Sequence, residues 1–249
     1  MANLNQAPGH HQKWLRNAER QGVAEDVVDE IARRHHVTLE SFRVLDGMEE
    51  IKDPDGKSFF LLPPGAGGDD ARAAALLTYV LNAGTGYGKS GPTDFPPTPY
   101  GPAEVARIIK RQHANRWSYS RDVRFVHRNG ARLVTTPNGM LMGTGGNVIQ
   151  RQFSRRGGTT WGDIFMVNTG RVSDPAERLR RLVSSGHAWH NLGLDRVLHH
   201  EERHCRQWAA RGYAGMIGAY AWELLRELVF RKINRLEADA GLSDGGYRA

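Results

Sequence analysis

The sequence predicts an α+β fold, and two changes of pattern predict it. Before position 115 the apolar spacing is mostly helical, at 23–35, 69–81 and 103–115. It gives way between 122 and 167 to β-rich runs cut by Asn-Gly pairs, and helical spacing returns from 174 to the end. The expected organisation is a mostly helical N-terminal region, 1–120, followed by a second unit, 121–249, with a short antiparallel sheet and one helix rich in histidine and acid.

Each element has a local reason. Val23, Val27, Val28 and Ile31 form one stripe over 23–35, and Ala24-Glu25-Asp26 sets acids in the first turn, at the positive end of the helix dipole. Asp69-Asp70 opens an Ala/Leu-rich helix ending near 81. Phe59-Phe60-Leu61-Leu62 before Pro63-Pro64-Gly65 reads as a short strand ending in a turn. Five prolines within 91–102 mark a linker or an extended surface segment, and Pro102 opens a helix over 103–115. Runs at 122–127 and 132–136, separated by Asn129-Gly130, and Asn138-Gly139 before Met140-Leu141-Met142, predict an antiparallel meander. A further strand is expected at 163–167, between glycine-rich stretches around Gly157 and Gly170. Asp174-Pro175 opens a helix to 183, and helices follow at 194–210 and 214–231.

Composition narrows the classes. With 249 residues, 39% hydrophobic and 24% charged, the chain can bury a substantial core and is not of disordered type. The net charge of +7 favours acidic partners or surfaces, yet the basic residues are dispersed. Clusters such as Arg33-Arg34-His35-His36, Lys110-Arg111-Gln112-His113 and Arg155-Arg156 read first as solvated helix faces and loop ends, so nucleic-acid binding is secondary. The lone Cys205 excludes an internal disulfide. Residues 1–15 lack the apolar core of a cleavable signal peptide, so the expected location is cytoplasmic, or exported by a route without one. No membrane span is expected: the nearest apolar stretch, 213–230, contains Glu223, Arg226 and Glu227 and reads as a buried amphipathic helix. Residues 83–90 fit a relaxed phosphate-loop pattern, but Gly91-Pro92 cannot continue as the helix such a loop needs, so a glycine loop is expected.

The run His200-Glu201-Glu202-Arg203-His204 carries chemistry. Residues four apart share a helix face, so His200 and His204 can offer two imidazoles to one tetrahedral metal while Glu201 leans over the same ion. Zinc there would lower the pKa of its bound water and polarise a scissile carbonyl, and Glu201 would take the water's proton and pass it to the leaving amine. Catalytic zinc keeps three protein ligands, so a third must lie downstream; Glu223 and Glu237 are the candidates. Without metal, the same charges would form i,i+4 pairs on a solvated helix. Cys205 should be a buried, inert thiol rather than a ligand, His199 should lie off the metal face, and Gln207 and Trp208 should pack or hydrogen-bond behind the site.

His200-Glu201-Glu202-Arg203-His204-Cys205-Arg206-Gln207, an apolar helix, and then Leu236-Glu237-Ala238-Asp239-Ala240 together resemble the small gluzincin-type (zincin-like) metallopeptidase domains of bacterial toxin and injection-system proteins. The resemblance covers 130–249. It implies His200, His204 and Glu237 as zinc ligands, Glu201 as general base, a protein or peptide substrate, and 160–167 as the edge strand on which an extended substrate lies. Tyr220, Tyr247, His187 and His190 are available to stabilise the oxyanion. The alternative of a different class is a non-catalytic basic module that engages nucleic acid or a partner protein.

Overall fold

Alternation of apolar side chains along six short strands sorts the core into two faces. The computed structural model describes residues 9–146, 158–168, 172–189 and 191–247. The strands β1 (Glu49–Lys52), β2 (Ser58–Leu61), β3 (Arg132–Thr135), β4 (Leu141–Thr144), β5 (Gly158–Trp161) and β6 (Ile164–Val167) form one sheet of order β1-β2-β3-β4-β6-β5. Successive side chains point to opposite faces. Phe60, Leu133, Leu141 and Ile164 therefore pack in one apolar cluster, and Phe59, Leu61, Val134, Met142 and Phe165 in a second.

Helices cover both faces. The first cluster is completed by α1 (His10–Arg20), α2 (Glu25–His35), α3 (Gly68–Asn82), α4 (Pro102–Ala114) and α5 (Val123–Arg128). The second is completed by α6 (Pro175–Ser185) and the first half of α7 (Leu194–Phe230); α8 (Arg235–Ala240) follows. Asp174 caps α6 by accepting from the backbone of Ala176 and Glu177, both at 3.0 Å, and Asn234 caps α8 by accepting from Leu236 at 2.9 Å. The α+β class is as the pattern predicts. The position expected as a boundary, near 120, falls between β2 and β3, which pair through Leu61 and Val134.

Four details differ from the expectation. The sheet is mixed, because the hairpin of β5 and β6 joins it through β6, which runs parallel to β4 with Leu141 opposite Ile164. The segment 122–127 is helical: buried Val123 and Val126 are three apart, and Asn129 and Gly130 (φ +79°) end the helix instead of turning a hairpin. Residues 160–167 are not one strand. They fold back at Gly162 (φ +62°), leaving β5 at the sheet's edge. The helices expected at 194–210 and 214–231 are present as the two halves of α7, separated by non-helical Gly212 (φ 69°, ψ 173°); what differs is that the second half is not the buried helix expected, most of its large apolar side chains being exposed. Met216, Glu223 and Arg226 turn inward while Trp222, Leu225 and Leu228 face out, Leu228 at 82% exposure. No helix among the described residues is long and apolar enough to cross a membrane.

Candidate metal centre

The first half of α7 presents its motif where three parts of the chain converge. Leu194, Val197, Leu198 and Cys205 anchor it in the second cluster. His200, Glu201 and Glu202 are all buried, and His204 is nearly so. After Gly212 the helix continues to Phe230, and 231–234 lead into α8, whose first turn carries Glu237.

His200, His204 and Glu237 meet. The two Nε2 atoms are 3.1 Å apart, and Glu237 Oε2 is 3.3 Å from each. Atoms about 2.0–2.2 Å from a tetrahedral zinc stand roughly 3.3–3.6 Å from one another, so this triangle is close to one face of that tetrahedron.

The outer nitrogens fix what the inner ones offer. His200 Nδ1 lies 2.9 Å from the carbonyl oxygen of Gly241, an acceptor only. His204 Nδ1 lies 2.9 Å from Gln207 Oε1, whose orientation follows because Gln207 Nε2 donates to Leu236 O and to Asp239 Oδ2, both at 2.9 Å. Both rings therefore carry their proton on Nδ1, and both Nε2 lone pairs point with the carboxylate at one spot. Three acceptors cannot satisfy one another; a cation or an added proton must lie among them. Burial opposes a charge on His204, but Glu237, Glu201 and Gln207 outweigh it and raise its pKa to about 9. Burial likewise disfavours charge on Glu237, yet the adjoining His200 and His204 imidazoles hold its carboxyl well below the usual range.

Glu201 lies beside this triangle. The Thr160 hydroxyl donates to its Oε2 at 2.6 Å, and burial raises its pKa against the pull of the two histidines and of that hydrogen bond. Trp208 Nε1 donates to Thr160 O at 3.0 Å, so β5 is tied to α7 on both sides of Thr160. Glu223 is not in the triangle; it accepts from Arg226 at 2.5 Å and from the Arg235 backbone at 3.0 Å.

Two supports come from residues the motif does not contain. Glu202, inside the motif, pairs with buried Arg111 of α4, with Arg107 at 2.9 Å and with Arg206 at 2.5 Å; Arg111 also contacts Asp163 at 3.3 Å. The segment 241–247 lies across His200: a Cβ on Gly245 would sit 2.6 Å from His200 Cε1. Buried Asp244 holds that segment, accepting from the Tyr87 hydroxyl, from Arg196 Nε at 3.0 Å and from the Asp94 backbone at 3.3 Å. Tyr87 also stacks on His199 with centroids 3.8 Å apart. The proline-rich segment is largely exposed and braces the first half of α7 through Asp94 on Asp244 and Phe95 on His199 and Arg203.

Of the residues considered for an oxyanion, Tyr247 is beside the triangle. Its ring centre is 6.2 Å from that of His200, and burial together with the adjoining Glu237 carboxylate pushes its phenol far up. His187 bonds Ser185 O at 2.7 Å, at the start of the loop before α7, and His190 lies outside the described residues, as do Arg155 and Arg156. Cys205 is buried with its thiol 3.5 Å from Met140 Sδ. Gln207 hydrogen-bonds behind the site as expected, at i,i+3 from His204. Thr160 and Asp244 carry no pattern in the sequence, and Arg111, expected on a solvated helix face, is buried, each of these three acting through contacts between elements distant in sequence.

No protein-family model, no curated protein and no solved structure matches this chain.

Proposed function

We propose that the chain is a zinc-dependent peptidase of the gluzincin-like kind, with His200, His204 and Glu237 as ligands and Glu201 as general base. The observation that carries this reading is the convergence of two Nε2 lone pairs and one carboxylate oxygen, 3.1–3.3 Å apart, on tautomers fixed by Gly241 and Gln207. A divalent ion bound there supplies a Lewis acid that acidifies water and polarises a carbonyl.

The chain's own residues do the rest. Thr160 occupies Oε2 of Glu201 and leaves Oε1 to accept the proton of the attacking water and deliver it to the departing amine. Burial makes Glu201 a stronger base than a solvated carboxylate. The strand β5 lies at the sheet edge beside this carboxylate, where an extended peptide would be laid. The setting that goes with the reading is a bacterial toxin or injection-system effector acting on a protein substrate.

The test is metal content and turnover measured together. The wild type should hold near one equivalent of zinc; His204→Ala should lose it, Glu237→Ala should weaken it more than Glu223→Ala, and Glu201→Gln should keep it while casein cleavage falls by about 10²-fold or more. Undiminished cleavage by Glu201→Gln, or salt-sensitive DNA binding with no metal taken up, overturns the proposal.

A further inference from the structure

The second half of α7 is built inside out. Seen at about 100° per residue, Met216, Glu223 and Arg226 share an arc of less than 90° that faces the protein. There Arg226 and Glu223 bond each other, and Glu223 takes the Arg235 backbone, so the polar pair is satisfied internally. Ile217, Trp222, Leu224, Leu225, Leu228 and Val229 fill about 160° of the outward side, each between 39% and 82% exposed. Phe230 and Ile233, 61% and 67% exposed, extend the apolar surface around the turn into α8. A patch this continuous marks an interaction site.

Its shape and charge select the occupant. One helix laid alongside, from a second copy or another protein, covers a narrow seam and would leave most of the arc wet. A fluid apolar medium covers it whole. Arg231, Lys232 and Arg235 are exposed around the apolar tip, and 211–235 holds five basic residues against two acidic ones. An apolar arc bordered by cations fits the boundary between acyl chains and anionic headgroups. From 213 to 230 the helix is roughly 27 Å long, and with Glu223, Arg226 and Glu227 in it, it lies along such a boundary and does not cross it.

We propose that the second half of α7 and the 230–233 turn dock this protein onto an anionic lipid bilayer, with the apolar arc at the acyl boundary and Arg231, Lys232 and Arg235 at lipid phosphates. Docking needs neither the metal nor the peptidase reading.

Vesicle sedimentation with the full chain tests it. The wild type should partition into equimolar phosphatidylcholine–phosphatidylglycerol vesicles more strongly than into phosphatidylcholine alone. Arg231→Gln with Lys232→Gln should lower the affinity for the anionic vesicles by roughly fivefold per charge. Leu228→Glu, at the most exposed position, should weaken it by about tenfold, with helix content by circular dichroism unchanged. Brominated acyl chains should quench the emission that disappears in Trp222→Phe. Absence of vesicle binding, binding indifferent to all of these substitutions, or lipid-free self-association that Leu228→Glu dissolves would each overturn the proposal, the last by assigning the arc to a second copy.

Discussion

The Nδ1 proton of His204 is held by Gln207 Oε1 at 2.9 Å, and the same amide reaches α8 through Leu236 O and Asp239. One side chain thus sets the tautomer of one proposed ligand and the distance to the helix that brings another. Gln207→Leu removes the acceptor and both bridges. It should weaken zinc binding by about 10–100-fold with the fold intact, since partners of this kind tune affinity by that much. Zinc titration against a competing chelator measures it, and wild-type affinity in the variant would show that the amide only packs.

The helix of the site was legible because its evidence is local. Histidines four apart with no Pro or Gly over 194–211 specify a helix and one face of it. Glu237 was legible only through resemblance, because spacing left Glu223 equally open; the structure separates them by giving Glu223 to Arg226. Residues 122–127 are not a strand because Val123-Arg124-Phe125-Val126 alternates imperfectly and also fits a three-residue repeat, and packing of Val123 and Val126 in the first cluster favours the helix. The stretch 213–230 is helical as its periodicity implies but is not buried, because sequence does not say which face of a helix meets the protein, and here the arc of Met216, Glu223 and Arg226 does. The contacts of Thr160, Arg111 and Asp244 join residues 41, 91 and 157 positions apart, beyond any local pattern.

Glu202 is the structural acid of the motif. It pairs with Arg111, whose side chain is 2% exposed, so Glu202→Gln leaves a guanidinium buried with only Asp163 as counter-charge. Removing one member of a buried pair costs roughly 3–5 kcal/mol; Glu40→Gln, which breaks an exposed pair with Arg43, should cost less than about 1 kcal/mol. Urea unfolding of the two variants compares them directly. Equal losses would mean that the α4–α7 network adds no more than a surface pair.

Lys57 gives the fold a distinct alkaline response. Its ammonium is buried at the end of α3, donating to the carbonyl oxygens of Asn82 at 3.1 Å and Gly84 at 2.8 Å. Burial, with repulsion from Lys89, lowers its pKa from 10.5 to about 8. Between those values the unfolded chain binds a proton that the folded chain has released, so stability rises with pH through this window; below it the folded state carries the full penalty of the buried charge. The gain is roughly 3 kcal/mol at 1.36 kcal/mol per pH unit. Other groups titrate in the same range, so the quantity to measure is the stability difference between wild type and Lys57→Met. It should move by roughly 3 kcal/mol in the wild type's favour from neutral pH to about pH 10.5. A difference that stays constant would mean that the two carbonyls keep Lys57 charged throughout.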